Sequence, residues 1–223
     1  EHNTRALQHA ADRAWPLQVR LAALFHDVGK PKTRLWSPEK KDWTFYGHDV
    51  VGGRMAGKIM DRLRFAHETR DMVVKLVRWH MFYSDIDKIT LSAVRRIIRN
   101  VGPENVEALI HLRACDRVGM GRPKESPYRL RKYQSMMEEA MRTPVSVGML
   151  QIDGGKVMEV TRETPGPRIG WILHALLEEC LDDPARNTPE YLEPRAMELA
   201  KLSDTDLQSM GEKGKVKRAE EEE

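Results

Sequence analysis

Cysteine is nearly missing from this chain: Cys115 and Cys180 stand alone, each inside a stretch of helical periodicity. With no CxxC pair there is no zinc–thiolate framework and no disulfide scaffold, so both read as reduced core thiols. Aromatic residues make up only 6% of the sequence. Leu, Met, Ala, Arg and Glu are common instead, a balance that suits helices better than sheets. No apolar run approaches the ~18–20 residues of a membrane span, and the opening EHNTRALQHAADRAW has no apolar centre of the secretory kind. These absences leave a cytoplasmic protein without a membrane partner as the expectation. The 223 residues, 40% hydrophobic, suffice for one large or two small cores. Lys and Arg number 37 against 34 Asp and Glu, four of them in the closing Glu220–Glu223. This mild basic excess is compatible with phosphate-bearing ligands without establishing nucleic-acid binding.

Apolar residues recur at helical spacing through Leu17, Leu21, Leu24 and Val28, and Gly29 followed by Pro31 closes that segment. Residues 32–47, with Trp36, Pro38, Trp43, Phe45 and Tyr46, read as a long loop with a short extended piece. Helices are expected over His48–Leu63, His67–Phe82, Leu91–Asn100, Glu104–Cys115 and Tyr128–Met141, with a break at Gly119, Gly121, Pro123 and Pro127. After Pro144 the stretch VGMLQIDGGKVMEVTRETPGPRIG leaves little room for long helices. Arg168–Cys180 is amphipathic with Pro167 at its start, and Glu193–Leu202 is a candidate last helix. The closing GEKGKVKRAEEEE reads as disordered.

The polar residues that need explaining are His2, the pair His26-Asp27, His48, His80 and Asp116. Imidazole and carboxylate suit borderline divalent metals, and a helical bundle can bring such side chains from separate helices into one cleft. The HD pair sits on the tail of an apolar helix in LAALFHDVGKPKT. Adjacent helical residues point about 100° apart, so a place at a helix end, with the two-oxygen carboxylate of Asp27 bridging two ions, fits the pair better than one shared ion. Burying it unpaired costs several kcal/mol. The bland alternative is a His-Asp hydrogen bond that caps a helix.

LAALFHDVGKPKT followed by FYGHDVVGG resembles the HD superfamily of metal-dependent phosphohydrolases, and more narrowly the HD region of bacterial tRNA nucleotidyltransferases and poly(A)-polymerase-like proteins. LVRWHMFY and LRACDRVG match the family's later His and Asp helices, and MLQIDGGKVMEV with PGPRIGWILHALLEECLDDPARNT resembles its small RNA-binding tail; the likeness runs from residue 1 to about 195. The resemblance implies His2, His26, Asp27 and Asp116 as ligands of a first ion, and His48 and His80 with bridging Asp27 for a second; His48 and His80 have direct phosphate contact as an alternative. It implies one or two divalent transition-metal ions (Mn, Fe, Co, Ni or Zn, with Mg admissible). Asp27 and Lys30 would be the catalytic pair, Lys30 neutralising a phosphate oxygen. The family's polymerase head, with its Gly-rich nucleotide element and paired aspartates on strands, has no counterpart here. The expectation is therefore a C-terminal fragment of a longer enzyme or a trimmed solitary relative, not itself adding nucleotides, with a nucleotidyltransferase head as a candidate partner.

The basic residues after Asp116, with Arg117, Arg122, Arg129 and Arg131 among them, are either a solvated face or a rim for phosphate and RNA. Arg95, Arg96 and Arg99 read as a plain helix surface. PGPRIG is either a turn and cap or a set of amides for an RNA phosphate. His9, His67, His111 and His174 fall outside the pattern, and Met136, Met137 and Met141 read as core. The expected fold is all-α: an HD bundle at 1–142, a smaller helical RNA-binding-like region at 143–202 and a disordered charged tail at 203–223. The expected function is metal-dependent hydrolysis of a phosphoester, a 2′,3′-cyclic phosphodiester or a phosphomonoester, on a nucleotide or the 3′ end of tRNA or another RNA. The competing reading is a tRNA-binding module in which the HD cluster is purely structural.

Overall fold

The structure, a computed structural model, describes residues 1–81, 89–122 and 124–210. The fold is all-α apart from one short hairpin. In chain order the elements are α1 (His2–Asp12), α2 (Leu17–Phe25), α3 (Lys30–Thr33), β1 (Leu35–Ser37), β2 (Asp42–Thr44), α4 (His48–Arg62), α5 (His67–Trp79), α6 (Leu91–Val101), α7 (Val106–Gly119), α8 (Tyr128–Ala140), α9 (Gly154–Thr161), α10 (Pro167–Asp182) and α11 (Pro189–Leu199). The expected loop over 32–47 resolves into the end of α3 and the antiparallel pair β1–β2, with Trp36 opposite Trp43. Helix α7 runs a full turn beyond its expected end at Cys115, which places Asp116 within the helix. The expected end of α5 at Phe82 and the break at Pro123 lie outside the described residues.

The chain divides into two compact units, the first formed by Glu1–Ile89 and Val101–Ser135 and the second by Thr90–Asn100 with the chain from Met136 onward. In the first, α1 packs on α2 and α7, α2 on α5 and α7, and α4 on α5. The contact faces are small: Ala6 and Ala10 on α1, Val19, Ala22 and Ala23 on α2, and Ala56 on α4 are fully buried. Small side chains let helix axes approach closely, so side chains at the helix ends converge. The HDVG turn after α2 depends on this. A Cβ on Gly29 would lie 2.2 Å from the His48 carbonyl oxygen and 2.7 Å from the Gly52 nitrogen, so only glycine lets that turn rest on the first turn of α4.

In the second unit Ile152, Val157, Ile172, Leu176, Leu192, Ala196 and Leu199 form the core. Helix α6 groups here by its packing, and its arginines are not the plain surface expected. Arg95 donates to the Leu181 carbonyl at 2.8 Å and to Thr143 at 3.0 Å, Arg96 reaches Asp182 at 2.8 Å, and Arg99 pairs with Glu178. Their partners lie from 48 to 86 residues later in the chain, out of reach of a local reading. Arg168 of PGPRIG also has a packing role: it donates to Glu163 at 3.0 Å and to the Ala200 carbonyl at 2.8 Å, and pairs with Asp204. Helix α11 begins at Pro189 and runs through Pro194, earlier than the expected Glu193, because Leu192, Ala196 and Leu199 give it a buried stripe at helical spacing. The disorder expected from 203 does not hold for 204–210, which are helical with Leu207 fully buried in this core; the remaining 211–223 lie outside the described residues.

Gly29→Ala is expected to lower the unfolding free energy by about 1–3 kcal/mol, the cost of overpacking against backbone that cannot move. Gly57→Ala, whose Cβ would meet only a Val74 methyl at 3.3 Å, is expected to cost clearly less. Chemical denaturation of both variants checks this, and equal midpoints would show that the HDVG turn has slack.

Candidate metal centre

All six sequence-predicted ligands lie in the first unit, and the fold brings them together. His26 caps the C-terminus of α2 and His80 that of α5, His48 opens α4, His2 opens α1, and Asp116 comes from the last turns of α7. Helix ends suit this task because their backbone groups are left without helical partners and bind side chains instead. His26 Nδ1 donates to the Ala23 carbonyl at 2.9 Å, His48 Nδ1 to Phe45 at 2.7 Å and His80 Nδ1 to Val77 at 2.7 Å. A carbonyl only accepts, so each Nδ1 carries a proton and each Nε2 of a neutral ring is left with a lone pair.

Those Nε2 atoms point at one another. His2 and His26 Nε2 are 3.0 Å apart, and His48 and His80 Nε2 are 3.3 Å apart. Asp27 stands between the two pairs. Its Oδ2 is 3.4 Å from both His2 and His26 Nε2, while its Oδ1 is 3.5 Å from His48 and 4.0 Å from His80. Asp116 Oδ1 completes the first group, 3.2 Å from His2 and 3.6 Å from His26. Facing lone pairs ringed by carboxylate oxygens repel unless a cation or proton lies among them. Ligands about 2.1 Å from one ion sit about 3.0–3.4 Å from each other in octahedral or tetrahedral arrangements, close to the 3.0–3.6 Å of the first group. These donors could hold divalent metal: His2, His26 and Asp116 form one group and Asp27, His48 and His80 another, with Asp27 Oδ2 also 3.4 Å from the first pair of histidines.

Electrostatics agree with this crowding. Burial works to lower the His26 pKa, but the interaction with Asp116 and the charge of Asp27 outweigh it and the net shift is upward. Burial, reinforced by His26 and His48, pushes His80 down to about 4. Burial alone would raise both aspartates; His26 and Lys30 hold Asp27 below its ordinary value, and His26 and Arg113 hold Asp116 well below the usual carboxylate range.

Around the ligands lie residues that sequence reading passed over. Arg113 pairs with Asp116 Oδ2, leaving Oδ1 for the histidines. Asp49, the unassigned half of GHD, is buried and paired with Arg78, which ties the α4 turn bearing His48 to the α5 turn bearing His80; the motif itself was the signal available. Gly119 makes room for His2: a Cβ there would lie 2.9 Å from both His2 Nδ1 and the His2 carbonyl oxygen. Lys30 Nζ, placed by sequence for a phosphate, donates to Asp27 Oδ2 at 2.7 Å.

Of the four arginines read as a phosphate rim, Arg117, Arg122 and Arg129 line one cleft of about 450 Å³ together with Arg113 and Tyr128. Arg131 is not among its lining residues and donates to the Ser126 carbonyl at 2.6 Å. His9 lies 3.5 Å from Glu125, and His111 stacks on Trp15 with ring centroids 4.1 Å apart, so neither belongs to the centre. Cys115 and Cys180 are buried free thiols, raised by burial to about 12 and about 11.

A helical bundle whose helix ends gather histidines about a shared aspartate defines an HD-type metal-site protein, and the chain belongs to the HD domain family, whose model matches residues 1–121. It is similar over most of its length to tRNA nucleotidyltransferases. The CC-adding tRNA nucleotidyltransferase of Thermus thermophilus is 36% identical over 182 residues, 80% of this chain and 40% of that protein. The A-adding tRNA nucleotidyltransferase of Deinococcus radiodurans is 32% identical over 184 residues, 80% and 41%. The Multifunctional CCA protein of Neisseria meningitidis is 26% identical over 160 residues, 70% and 36%. The chain thus spans about two-fifths of the length of the curated relatives it matches. No solved structure gives a significant match.

Gly119→Ala is expected to weaken metal binding about 10–100-fold, the usual loss when a ligand's support is disturbed, because the new methyl displaces His2. Asp27→Ala is expected to abolish binding at both groups. Titration calorimetry with Mn or Co measures both. Unchanged affinity in Gly119→Ala would remove His2 from the ligand set.

Proposed function

We propose that the chain is a metal-dependent phosphohydrolase acting on a phosphoester at the end of an RNA or on a nucleotide, either a 2′,3′-cyclic phosphodiester or a phosphomonoester. The observation that carries this reading is the Asp27 carboxylate, with one oxygen facing each of two histidine groups. The ligands would be His2, His26, Asp27 and Asp116 for one ion and Asp27, His48 and His80 for the other, with Mn, Fe, Co, Ni or Zn favoured by the mixed nitrogen and oxygen donors and Mg admissible. When bound, such ions polarise a phosphoryl oxygen and lower the pKa of water toward neutrality.

The protein's own groups do the rest. Asp27, as the bridge between the two groups or as a nearby base, would orient the attacking water. Lys30, on the exposed side of Asp27, swings from Oδ2 to the phosphoryl oxygen on which charge develops. Arg113 holds Asp116 in the orientation that ligation needs. Arg117, Arg122 and Arg129 take backbone phosphates of a longer strand, while Arg131 is a more distant contact. RNA as the substrate class draws on the two relatives named as tRNA nucleotidyltransferases and on this arginine cleft. We place the protein in the cytoplasm with that substrate; no helix among the described residues is long and apolar enough to cross a membrane. A second reading has its own observation, the likeness to tRNA nucleotidyltransferases over 80% of the chain. In it, residues from about 143 to 202 bind tRNA for a catalytic head and the HD bundle is a scaffold.

With Mn, Co or Ni supplied, the chain is expected to hydrolyse a 2′,3′-cyclic nucleotide or a nucleoside monophosphate, and His26→Ala or Asp27→Ala to abolish this without loss of helical circular dichroism. A folded, metal-loaded wild type that is inert toward cyclic nucleotides and 2′- and 3′-monoesters would give way to the scaffold reading. Separately, reversing charge at Arg122 and Arg129 is expected to weaken single-stranded RNA binding and to flatten its log–log salt slope by roughly 0.7 per lost phosphate contact. An unchanged slope would return the cleft to an ordinary solvated face.

A further inference from the structure

The β1–β2 hairpin supplies no ligand, yet both its feet stand in the metal centre. At its start Lys30 donates to Asp27 Oδ2 at 2.7 Å, and at its end the Phe45 carbonyl accepts from His48 Nδ1 at 2.7 Å. Between these anchors the chain exposes large apolar side chains. Trp36 and Trp43 face each other in register with ring centroids 5.4 Å apart, and they remain 48% and 42% exposed. Leu35 and Tyr46 are 69% and 56% exposed.

A cross-strand aromatic pair steadies a two-stranded hairpin that is marginal alone. That role does not explain Tyr46, which lies outside the pair, or the charge around it. Lys32, Arg34, Lys40 and Lys41 are exposed on this arm against Glu39 and Asp42. The Arg34 guanidinium sits 3.8 Å from the Trp43 ring centroid, and Lys40 Nζ lies 5.0 Å from that of Tyr46. Aromatic faces interleaved with cations match the two chemistries of unpaired nucleic acid, bases that stack and phosphates that pair with Lys and Arg.

We propose that this arm, with Trp36, Trp43 and Tyr46 rising from Lys30 and His48, is a base-stacking platform for the unpaired nucleotides of an RNA strand whose terminal phosphate lies at Asp27. The proposal rests on the RNA-end reading of the centre. It makes the arm the source of preference for a nucleotide over a phosphoester without a base: the bases lie on the indoles, Arg34 and Lys40 meet the backbone, and the strand end is led down the hairpin to the ligands. A protein surface is the competing occupant. The excess of cations and their seats over the rings favour the polyanion.

The test measures binding of a short labelled single-stranded RNA by fluorescence anisotropy, without added metal, so that hydrolysis plays no part in the readout. Wild type is expected to bind the RNA about tenfold or more tighter than an abasic strand of the same length. Trp36→Ala/Trp43→Ala is expected to lose that preference, and Trp36→Phe/Trp43→Phe to retain most of it. The abasic comparison uses only the intact protein, so it holds even if the alanine pair loosens the hairpin. Equal affinity for the RNA and the abasic strand, or no affinity for either, would overturn the platform and leave the aromatic face to a protein partner. Base-dependent binding with no hydrolysis in the earlier assay would keep the platform and overturn only the hydrolase reading.

Discussion

One carboxylate organises the first unit. Asp27 directs its two oxygens at two pairs of imidazole nitrogens that lie 3.0 and 3.3 Å apart. That arrangement tolerates little slack, because a turn shifted by an ångström leaves buried acceptors without a partner. The rest of the unit follows from it. The HDVG turn must lie against α4, so position 29 carries no side chain; His2 must lie against α7, so position 119 carries none either. Alanine-rich contact faces on α1 and α2 serve the same requirement, since only closely approaching axes let side chains from four helices and a turn meet.

Two half-buried pairs hold the ring of candidate ligands from outside. In Arg78 with Asp49 and Arg113 with Asp116 the carboxylates are almost wholly excluded from water while the arginines keep partial exposure. Removing one partner of a fully buried pair costs about 3–5 kcal/mol, and less where the arginine is partly exposed as here, although such a pair contributes little net stability over an apolar substitute. Exposed pairs such as Arg70 with Asp61 are worth at most about 1 kcal/mol. The half-buried pairs are therefore best understood by what they position. Arg78–Asp49 locks together the turns that carry His48 and His80, and Arg113 occupies the one Asp116 oxygen that would otherwise compete for a histidine.

What the sequence made legible was whatever is local. The helices were visible from apolar spacing, and the six candidate ligands, which the fold brings together, from short motifs that carry a family resemblance. What it concealed was pairing across distance. Gly119 looked like a helix breaker, yet it is the seat of a histidine more than a hundred residues earlier. Arg95, Arg96 and Arg99 looked like a solvated face because Glu178, Leu181 and Asp182 are far along the chain. Arg113 and Asp49 carry no mark distinguishing them from surface charges until the fold buries their partners. The tail differs in the other direction: the charged closing segment reads as disordered from 203, but 204–210 are helical and the buried Leu207 extends the core.

The hydrolase and scaffold readings differ in what they ask of the second histidine group. A scaffold needs its buried polar atoms satisfied and nothing more, and the first group, with two histidines and two aspartates at mutual distances of 3.0–3.6 Å, would meet that need with one ion. The second group brings only three side chains at 3.3–4.0 Å, too few to close a tetrahedral shell. A site built solely for stability would be closed, whereas a site with fewer protein ligands than its ion accepts has positions for water or substrate. His48 and His80 are held by backbone carbonyls and by the Arg78–Asp49 pair, a considerable apparatus for an incomplete shell. It is the cost of keeping that shell incomplete in a fixed geometry that favours chemistry over support.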